Sequence, residues 1–180
     1  MNDYKDNIKI KKRFKPWIVI ICMCILAALM IVIVERSVYT GDKAREELLE
    51  LDANLTMSDL KTKGYIDVSQ TMDSSDDRIE SFLRKAKKRK RGVLRVTTIL
   101  DGKLCAKILI YDKQLDAIRM WTGFPNQKQM EDPGKCFSAE TYETTNEDVK
   151  TVFLKNIPGA EYNLDQTEFI DEKLYSYWED

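Results

Sequence analysis

Residues 93–111, VLRVTTILDGKLCAKILIY, contain two β-rich runs, 93–100 and 104–111, separated by Asp-Gly-Lys. The side-chain period in both runs is two, and Asp-Gly between such runs is a strong signal for a β-hairpin. A third run with strand character, residues 117–124, follows a polar turn and stops at a proline. The sequence therefore predicts a three-stranded antiparallel meander at the centre of the fold.

One main helix is predicted before this meander. Ser74 or Ser75 can cap it, Asp76 and Asp77 suit the positive end of a helix, and Gly92 ends it. Its apolar residues recur at helical spacing and form one stripe: Ile79, Phe82, Leu83 and Ala86. Four residues share one face of the strand 104–111, and we expect this face to cover the helix: Leu104, Ala106, Ile108 and Ile110.

Two more elements are predicted after the meander. Residues 136–143 and 149–155 flank a polar turn and indicate a second hairpin, after a loop at 126–135. A C-terminal helix is expected from the spacing of Ile170, Leu174, Tyr177 and Trp178. The fold class is α+β, with one main helix packed on an antiparallel sheet of four to six strands and preceded by a single transmembrane helix.

The transmembrane helix is predicted at residues 17–34, an apolar run without a charge that would span roughly 27 Å. Residues 1–16 carry six Lys and Arg, so the positive-inside rule places the N-terminus in the cytoplasm. A cleaved signal peptide would have a shorter apolar stretch and a small-residue cleavage site, which favours an uncleaved signal anchor. The prediction is a cytoplasmic basic tail (1–16), a membrane span (17–34), a juxtamembrane stalk (35–57) and an extracytoplasmic α+β domain (58–180).

The stalk has apolar residues at helical spacing, so we expect it to be helical and to pack on its own domain. Pairing of two chains in a short coiled coil is the alternative. A second short helix is expected to start at Thr56-Met-Ser-Asp59 and to stop at Gly64.

The chain contains no histidine, which removes the commonest general base and metal ligand and every Ser/His or Cys/His nucleophile. Paired carboxylates, Asp101 with Asp112 or Asp116, are conceivable for a hydrolase, but turn chemistry explains these aspartates more simply. No phosphate-binding loop or metal-ligand spacing accompanies them. We therefore predict no enzyme, no catalytic residue, no metal and no cofactor.

The sharpest local feature is the basic segment, residues 84–91, with seven cations in eight positions: Arg84, Lys85, Lys87, Lys88, Arg89, Lys90 and Arg91. One interpretation is that these cations suit the negative C-terminal end of a helix and stay solvated. The other is an electrostatic site for an anionic polymer, lipid headgroups or an envelope protein. Nucleic acid is not expected, because the predicted topology places the segment outside the cytoplasm.

The two halves of the domain are oppositely charged. Residues 81–130 hold 13 basic and 3 acidic residues, whereas residues 131–180 hold 4 basic and 13 acidic residues. The acidic C-terminal region could therefore pack beside the basic segment and neutralise it, or a partner could displace it.

Cys105 and Cys136 are the only cysteines beyond the apolar run, and an oxidising location would permit a disulfide between them. The alternative is that each is a small buried apolar residue. Trp121, Phe124 and Tyr111 are candidates for an aromatic platform for sugars, although strand aromatics are more often part of a core.

From about residue 58 to 156 the chain resembles a family of small bacterial cell-envelope proteins known as domain of unknown function 4362. The resembling pieces are KGYI (63–66), DRIESFLRKAKK (77–88), VLRVTTILDG (93–102), LIYDKQL (109–115) and TYETTNEDVKTVFLKN (141–156) after Lys135-Cys136. The resemblance implies an envelope module without a known activity. The chain departs from the family in lacking a lipoprotein cysteine and in having Asn156 where members often carry a second cysteine. If the family's cysteines pair across that hairpin, Cys136 lacks its usual partner here.

The sequence thus favours a noncatalytic extracytoplasmic module that binds an anionic polymer or a protein through the basic segment. An accessory subunit of a membrane complex, recognised through its span and stalk, is the alternative, and a hydrolase is a third hypothesis.

Overall fold

The computed structural model describes residues 20–27, 39–157 and 171–178, and of residues 131–134 it describes only the backbone. Within these residues, seven strands form one sheet. They are β1 (Ile66–Asp67), β2 (Val93–Leu100), β3 (Lys103–Asp112), β4 (Ala117–Phe124), β5 (Gln129–Asn146), β6 (Val149–Asn156) and β7 (Glu172–Trp178). Three helices of the same region accompany them: α1 (Gly41–Leu49), α2 (Met57–Thr62) and α3 (Asp77–Lys87). The chain divides into two compact units, Met1–Val38 and Tyr39–Asp180, and all of these elements belong to the second.

The order of the strands across the sheet is their order along the chain. β2 to β7 are joined as antiparallel neighbours, and β1 pairs in parallel with β2. The prediction of a purely antiparallel sheet of four to six strands under one main helix is therefore wrong. The sheet is mixed because the short β1, where a strand was expected from Tyr65, pairs in parallel with β2. It is larger because residues 172–178, which were expected to be helical, add β7 at the other edge.

The central hairpin is confirmed. Leu100 pairs with Lys103, and the two residues between them, Asp101 and Gly102, have φ of 49° and 74°. Two consecutive residues with positive φ form the type I′ turn, whose twist suits a two-residue hairpin. The second hairpin is also present, although β5 starts at Gln129, inside the segment that we predicted to be a loop.

Helices cover both faces of the sheet. The predicted stripe of α3 is buried, and it packs with Leu109 and Tyr111 of β3. The face of β3 that holds Ala106 and Ile108 packs instead against α1 and α2, through Ala44, Leu48 and Leu60. The expectation that this face would cover the main helix is wrong, because β3 is apolar on both faces and its alternation does not distinguish them.

The sheet curls around α3. Lys107 of β3 forms an ion pair with Glu172 of β7, although three strands lie between them. In a flat sheet their backbones would be about 19 Å apart at the usual strand spacing, too far for these side chains to meet. Met72, which follows β1 in the chain, exchanges backbone hydrogen bonds with Ser176 and Trp178 of β7, so β7 approaches the opposite edge.

The predicted C-terminal helix is wrong, since residues 172–178 form β7. Leu174 and Tyr175 are buried there, and the hydroxyl of Tyr175 donates to Oε1 of Glu80 on α3 at 2.7 Å. Pairing with β6 overrides the helical spacing of the apolar residues. The predicted short helix is confirmed as α2, where Thr56 and Asp59 form a capping box and Gly64 has φ of 90°.

The prediction of a transmembrane helix at residues 17–34 is contradicted. Within the described residues no helix is long and apolar enough to cross a membrane, and of this run only residues 20–27, which are helical, are described. The signal anchor and the single-pass membrane localisation were derived from that helix and are contradicted with it. In the stalk segment, α1 packs on the sheet and the second compact unit starts at Tyr39.

Candidate functional site

The basic segment begins in the last turn of α3 and continues into the connection to β2. Arg84, Lys85 and Lys87 are helical, and Lys88 is the C-cap. The helix thus ends before Lys88, and not at Gly92 as predicted. Four of the seven cations therefore lie at or beyond the end of the helix.

The chain leaves α3 through a Schellman motif. The backbone N–H of Lys90 donates to the carbonyl of Lys85 at 2.9 Å, and that of Arg89 donates to the carbonyl of Ala86 at 2.8 Å. Arg89 lies in the left-handed region with φ of 54°, the position that glycine usually occupies in this motif. A side chain with a Cβ is strained there by roughly 1–2 kcal/mol. The segment therefore keeps a cation at a position where glycine would fit better.

All seven cations of the basic segment are exposed, while Ala86 between them is buried in the core. Arg89 pairs with Asp116 at 2.9 Å, and both side chains are largely exposed. Among the described residues, no carboxylate lies within 4 Å of the other six cations. The hypothesis that the acidic C-terminal region covers the segment falls partly on residues 158–170, which lie outside the described part of the chain.

The basic segment passes the end of the sheet from one face to the other. Arg89 lines a cleft with residues 138–141 of β5, next to α3. Arg91, two residues later, lines a different cavity on the α1 side. The cations therefore do not lie in one plane.

The second cavity, which we call the arginine pocket, has a volume of about 330 Å³ and lies where α1 begins. Three arginines from three elements line it: Arg45 of α1, Arg91 of the basic segment and Arg119 of β4. Asp42 and Asp112 also line it, so positive side chains outnumber negative ones by three to two.

Trp121 and Arg119 form one wall of the arginine pocket. The guanidinium carbon of Arg119 lies 4.6 Å from the centre of the Trp121 ring, and its Nη1 lies 3.7 Å from Oδ2 of Asp112. A Cβ added at Gly41 would lie 2.5 Å from Cζ2 of Trp121, so only glycine allows α1 to begin this close to the wall. The arginines are thus held around the cavity by packed elements.

A polar network beside the pocket attaches α1 to the sheet. Glu47 accepts two hydrogen bonds from the guanidinium of Arg95, at 2.6 and 2.7 Å, and further hydrogen bonds from the hydroxyls of Tyr39 and Tyr65. Burial alone would raise the pKa of Glu47, but the hydrogen bonds from Arg95 and the two tyrosines outweigh it and hold that pKa below its ordinary value. Burial and the Glu47 carboxylate raise the pKa of both tyrosines. The network is therefore ionised at neutral pH as one Glu–Arg pair with two neutral tyrosines.

The other candidate groups do not form sites. Trp121 and Tyr111 are buried, which agrees with the interpretation of these strand aromatics as part of a core and not with the alternative of an exposed platform for sugars. Asp101 lies at one end of β3, and Asp112 and Asp116 lie at the other, so the proposed acid pairs are not brought together. Within the described residues no group of three His, Cys, Asp or Glu side chains could hold a metal ion.

Cys105 and Cys136 are both buried. Cys105 lies on β3 on the α3 face, whereas Cys136 lies on β5 beside Arg119 on the α1 face. A disulfide requires Cβ atoms that point toward each other, whereas these cysteines lie on opposite faces of the sheet, and no disulfide joins them in this structure. Burial raises the pKa of the Cys136 thiol.

The arginine pocket was missed by sequence analysis. Arg119 is the only charge in an otherwise apolar strand, and a charge in such a run calls for a partner or a role. Arg45 gave no signal, because it lies among the charged residues expected on the outer face of an amphipathic helix. The chain matches no protein-family model, no curated protein and no solved structure, so its resemblance to domain of unknown function 4362 stays a prediction.

Proposed function

We propose that the domain is a noncatalytic module that binds an anionic polymer through the basic segment. The observation that carries the proposal is the exposure of all seven cations, from Arg84 to Arg91, where the structure describes a single ion pair. Such a concentration of positive charge favours a partner with closely spaced negative charges.

The helix dipole does not account for the segment. Cations are favourable within the last turn of a helix, by about 0.3–1 kcal/mol each, and the effect falls off beyond that turn. Arg84, Lys85 and Lys87 are in that turn, but Arg89, Lys90 and Arg91 follow it. Repulsion among these later cations is therefore not offset by the end of α3.

The conformation of Arg89 supports a role for its charge. Left-handed backbone at a residue other than glycine costs free energy, and residues with such strain cluster at functional sites. Its exposed pair with Asp116 recovers little, because exposed ion pairs contribute about 0–1 kcal/mol. A binding role explains why the position holds arginine.

The path of the basic segment favours a flexible polymer over a flat surface. Arg89 faces the α3 side of the sheet and Arg91 faces the α1 side. A polymer can follow the cations around this end of the domain, whereas a planar layer of lipid headgroups would contact only one side. We therefore treat lipid headgroups as a competing outcome.

The test is titration of the full chain with inorganic polyphosphate at 50 and 200 mM salt. A variant with Lys87, Lys88 and Lys90 replaced by alanine is compared with a matched variant in which exposed Lys63, Lys103 and Lys173, which lie elsewhere, are replaced. At about 1 kcal/mol for each basic residue near an anionic partner, the first variant should lose roughly 100-fold in affinity at low salt. Its slope of log K against log salt should be shallower by about 2. The matched variant should lose less than about threefold.

Equal losses in the two variants would overturn the proposal, because binding would then follow net charge alone. Tighter binding to anionic lipid vesicles than to polyphosphate would replace the polymer by a lipid surface. The expectation that nucleic acid is not the partner was derived from the contradicted membrane topology and does not enter this proposal. Tighter binding to single-stranded RNA or DNA of matched charge than to polyphosphate would identify nucleic acid as the anionic polymer.

A further inference from the structure

We infer that the arginine pocket is a separate site for a single phosphate monoester group. The pocket shares Arg91 with the basic segment, but the inference does not rest on polymer binding. It rests on three arginines that line one cavity and on the way three elements hold them there.

The arginines reach the cavity from different directions. Arg45 comes from α1, Arg91 from the connection between α3 and β2, and Arg119 from β4 in the sheet. Guanidinium groups donate hydrogen bonds in a fixed fork that matches the oxygens of phosphate and carboxylate. Three forks around one cavity suit a tetrahedral anion, which presents oxygens in several directions, better than a planar carboxylate.

The start of α1 adds to the positive character of the cavity. Thr40, Gly41 and Asp42 line it, and the first N–H groups of a helix have no acceptor within the helix itself. The absence of a side chain at Gly41 brings this helix end close to Trp121. The backbone and the guanidinium groups therefore favour the same class of ligand.

The acidic residues of the pocket, Asp42 and Asp112, limit its net charge, and Asp112 helps to orient Arg119. Asp112 lies 3.7 Å from Arg119, and its Oδ1 also accepts from the backbone N–H of Gln114 at 2.9 Å, so the β3–β4 turn fixes its position. Stacking on Trp121 holds the guanidinium of Arg119 from the other side. Arg119 is thus presented in a defined orientation, which a compact ligand needs and a polymer does not.

The size of the cavity indicates a small ligand. About 330 Å³ is near the lower end of the range of roughly 300–1,000 Å³ for small-molecule sites. The phosphate can belong to a free small molecule or to the terminal group of a polymer. A monoester end group is the chemistry that the two sources share.

The experiment is titration of the ¹⁵N-labelled full chain with glycerol 3-phosphate while the indole N–H signals of its three tryptophans are followed by NMR. Trp121 lines the pocket, whereas Trp178 lies on β7 outside it, so the Trp121 signal should shift and the Trp178 signal should not. Arg91→Ala should weaken the affinity by about 10- to 100-fold, since a charged hydrogen-bonding partner is lost. Lys90→Ala removes the same charge one residue away and should weaken it by less than about twofold.

Polyphosphate distinguishes this inference from the proposed function. Arg91→Ala and Lys90→Ala should weaken polyphosphate binding to similar extents, because each removes one cation of the basic segment. The Trp121 signal also distinguishes the two sources of the phosphate group. If it shifts saturably with glycerol 3-phosphate but not with polyphosphate at equal phosphate-group concentration, the pocket binds a free small molecule and not the end of a polymer.

Two results would overturn the inference while leaving polymer binding intact. One is the absence of a saturable Trp121 shift in a protein that still binds polyphosphate. The other is an equal shift with acetate, which would make the pocket a general anion site. If Arg91→Ala unfolds the chain, Arg45→Ala on the exposed face of α1 provides the same test.

Discussion

Replacement of Glu47 by alanine should weaken the attachment of α1 to the sheet and thereby lower the free energy of unfolding. The Glu47 carboxylate is the shared acceptor of the network, with two hydrogen bonds from Arg95 and one from each of Tyr39 and Tyr65. The change removes all four contacts at once. It leaves the guanidinium of Arg95 stacked on the Tyr39 ring, with its centre 4.8 Å away, and without its carboxylate.

The expected loss follows from the partial burial of the ion pair. The side chains of Arg95 and Glu47 are 29% and 28% exposed, so the burial of this ion pair is intermediate between that of an exposed pair and that of a fully buried pair. Exposed pairs contribute about 0–1 kcal/mol, and breaking a buried pair costs about 3–5 kcal/mol. We expect Glu47→Ala to lower the free energy of unfolding by about 2–3 kcal/mol.

Urea denaturation provides the measurement, and Glu46→Ala provides the control. Glu46 is the neighbouring residue on the same helix and is exposed. Its replacement by alanine changes the charge and the helix propensity by the same amount as Glu47→Ala. A loss of 2–3 kcal/mol should lower the urea midpoint by about 1–2 M at a typical denaturant dependence. If Glu47→Ala cost no more than Glu46→Ala, the network would not hold α1 to the sheet, and the reasoning would be refuted.

The pH dependence provides a second test of the same network. Because the folded state holds the pKa of Glu47 below its ordinary value, ionisation of Glu47 stabilises the fold above that ordinary value, about 4.3. This contribution is lost as the pH falls through the depressed pKa. The stability difference between the native chain and Glu47→Gln should therefore be full at pH 7 and should shrink below about pH 4. A difference that stays constant down to pH 2.5 would contradict the assignment.

Three further substitutions test other parts of the structure. Arg89→Gly relieves the left-handed strain, so the free energy of unfolding should stay unchanged or rise by up to about 1 kcal/mol, while polyphosphate binding weakens. A fall in the free energy of unfolding by more than about 1 kcal/mol would show that Arg89 is not strained. Gly123→Ala places a Cβ 3.1 Å from Cδ2 and 3.2 Å from Cβ of Leu48 and should cost about 1–3 kcal/mol in urea denaturation, whereas no loss of stability would show that α1 can move away from β4 without cost. Tyr175→Phe removes the hydroxyl that donates to Glu80 and should cost about 1–2 kcal/mol, and an unchanged unfolding midpoint would show that this bond is not needed.

Local chemistry made part of the fold predictable. The Asp101-Gly102 turn and the apolar stripe of α3 are each specified by a few neighbouring residues, and both are present in the structure. The capping box of Thr56 and Asp59 is likewise a signal contained within four positions. Such features do not depend on distant partners, and this is why periodicity and turn chemistry suffice for them.

The remaining parts depend on contacts between distant residues. β3 is apolar on both faces, so its pattern could not show which face would receive α1 and which α3. Lys107 interrupts that strand, and its partner Glu172 lies 65 positions away. The apolar residues of 172–178 fit a helix or a strand, and only pairing with β6 decides between them.

The candidate site likewise has one part that neighbouring residues determine and one part that depends on contacts between distant residues. The basic segment is contiguous and could be named from the sequence, residue by residue. The arginine pocket combines Arg45, Arg91 and Arg119, whose proximity arises only when α1, the end of α3 and β4 meet. The docking of α1 on the sheet produces this meeting. The apolar spacing of the stalk predicted that this helix packs on the domain, but it did not predict which elements α1 would meet.

The agreement between strand order and chain order has a consequence for synthesis of the protein on the ribosome. Each strand from β3 onward can pair with the strand made just before it, so the sheet can grow as the chain emerges. Leu48 of α1 is made 75 residues before Gly123, against which it packs. At about 5–20 residues per second, α1 must wait for roughly 4–15 s before the surface on which it packs is complete. During this interval the apolar side of α1 is only partly covered, and we expect a chaperone that binds the nascent chain to contact α1 before β4 is complete.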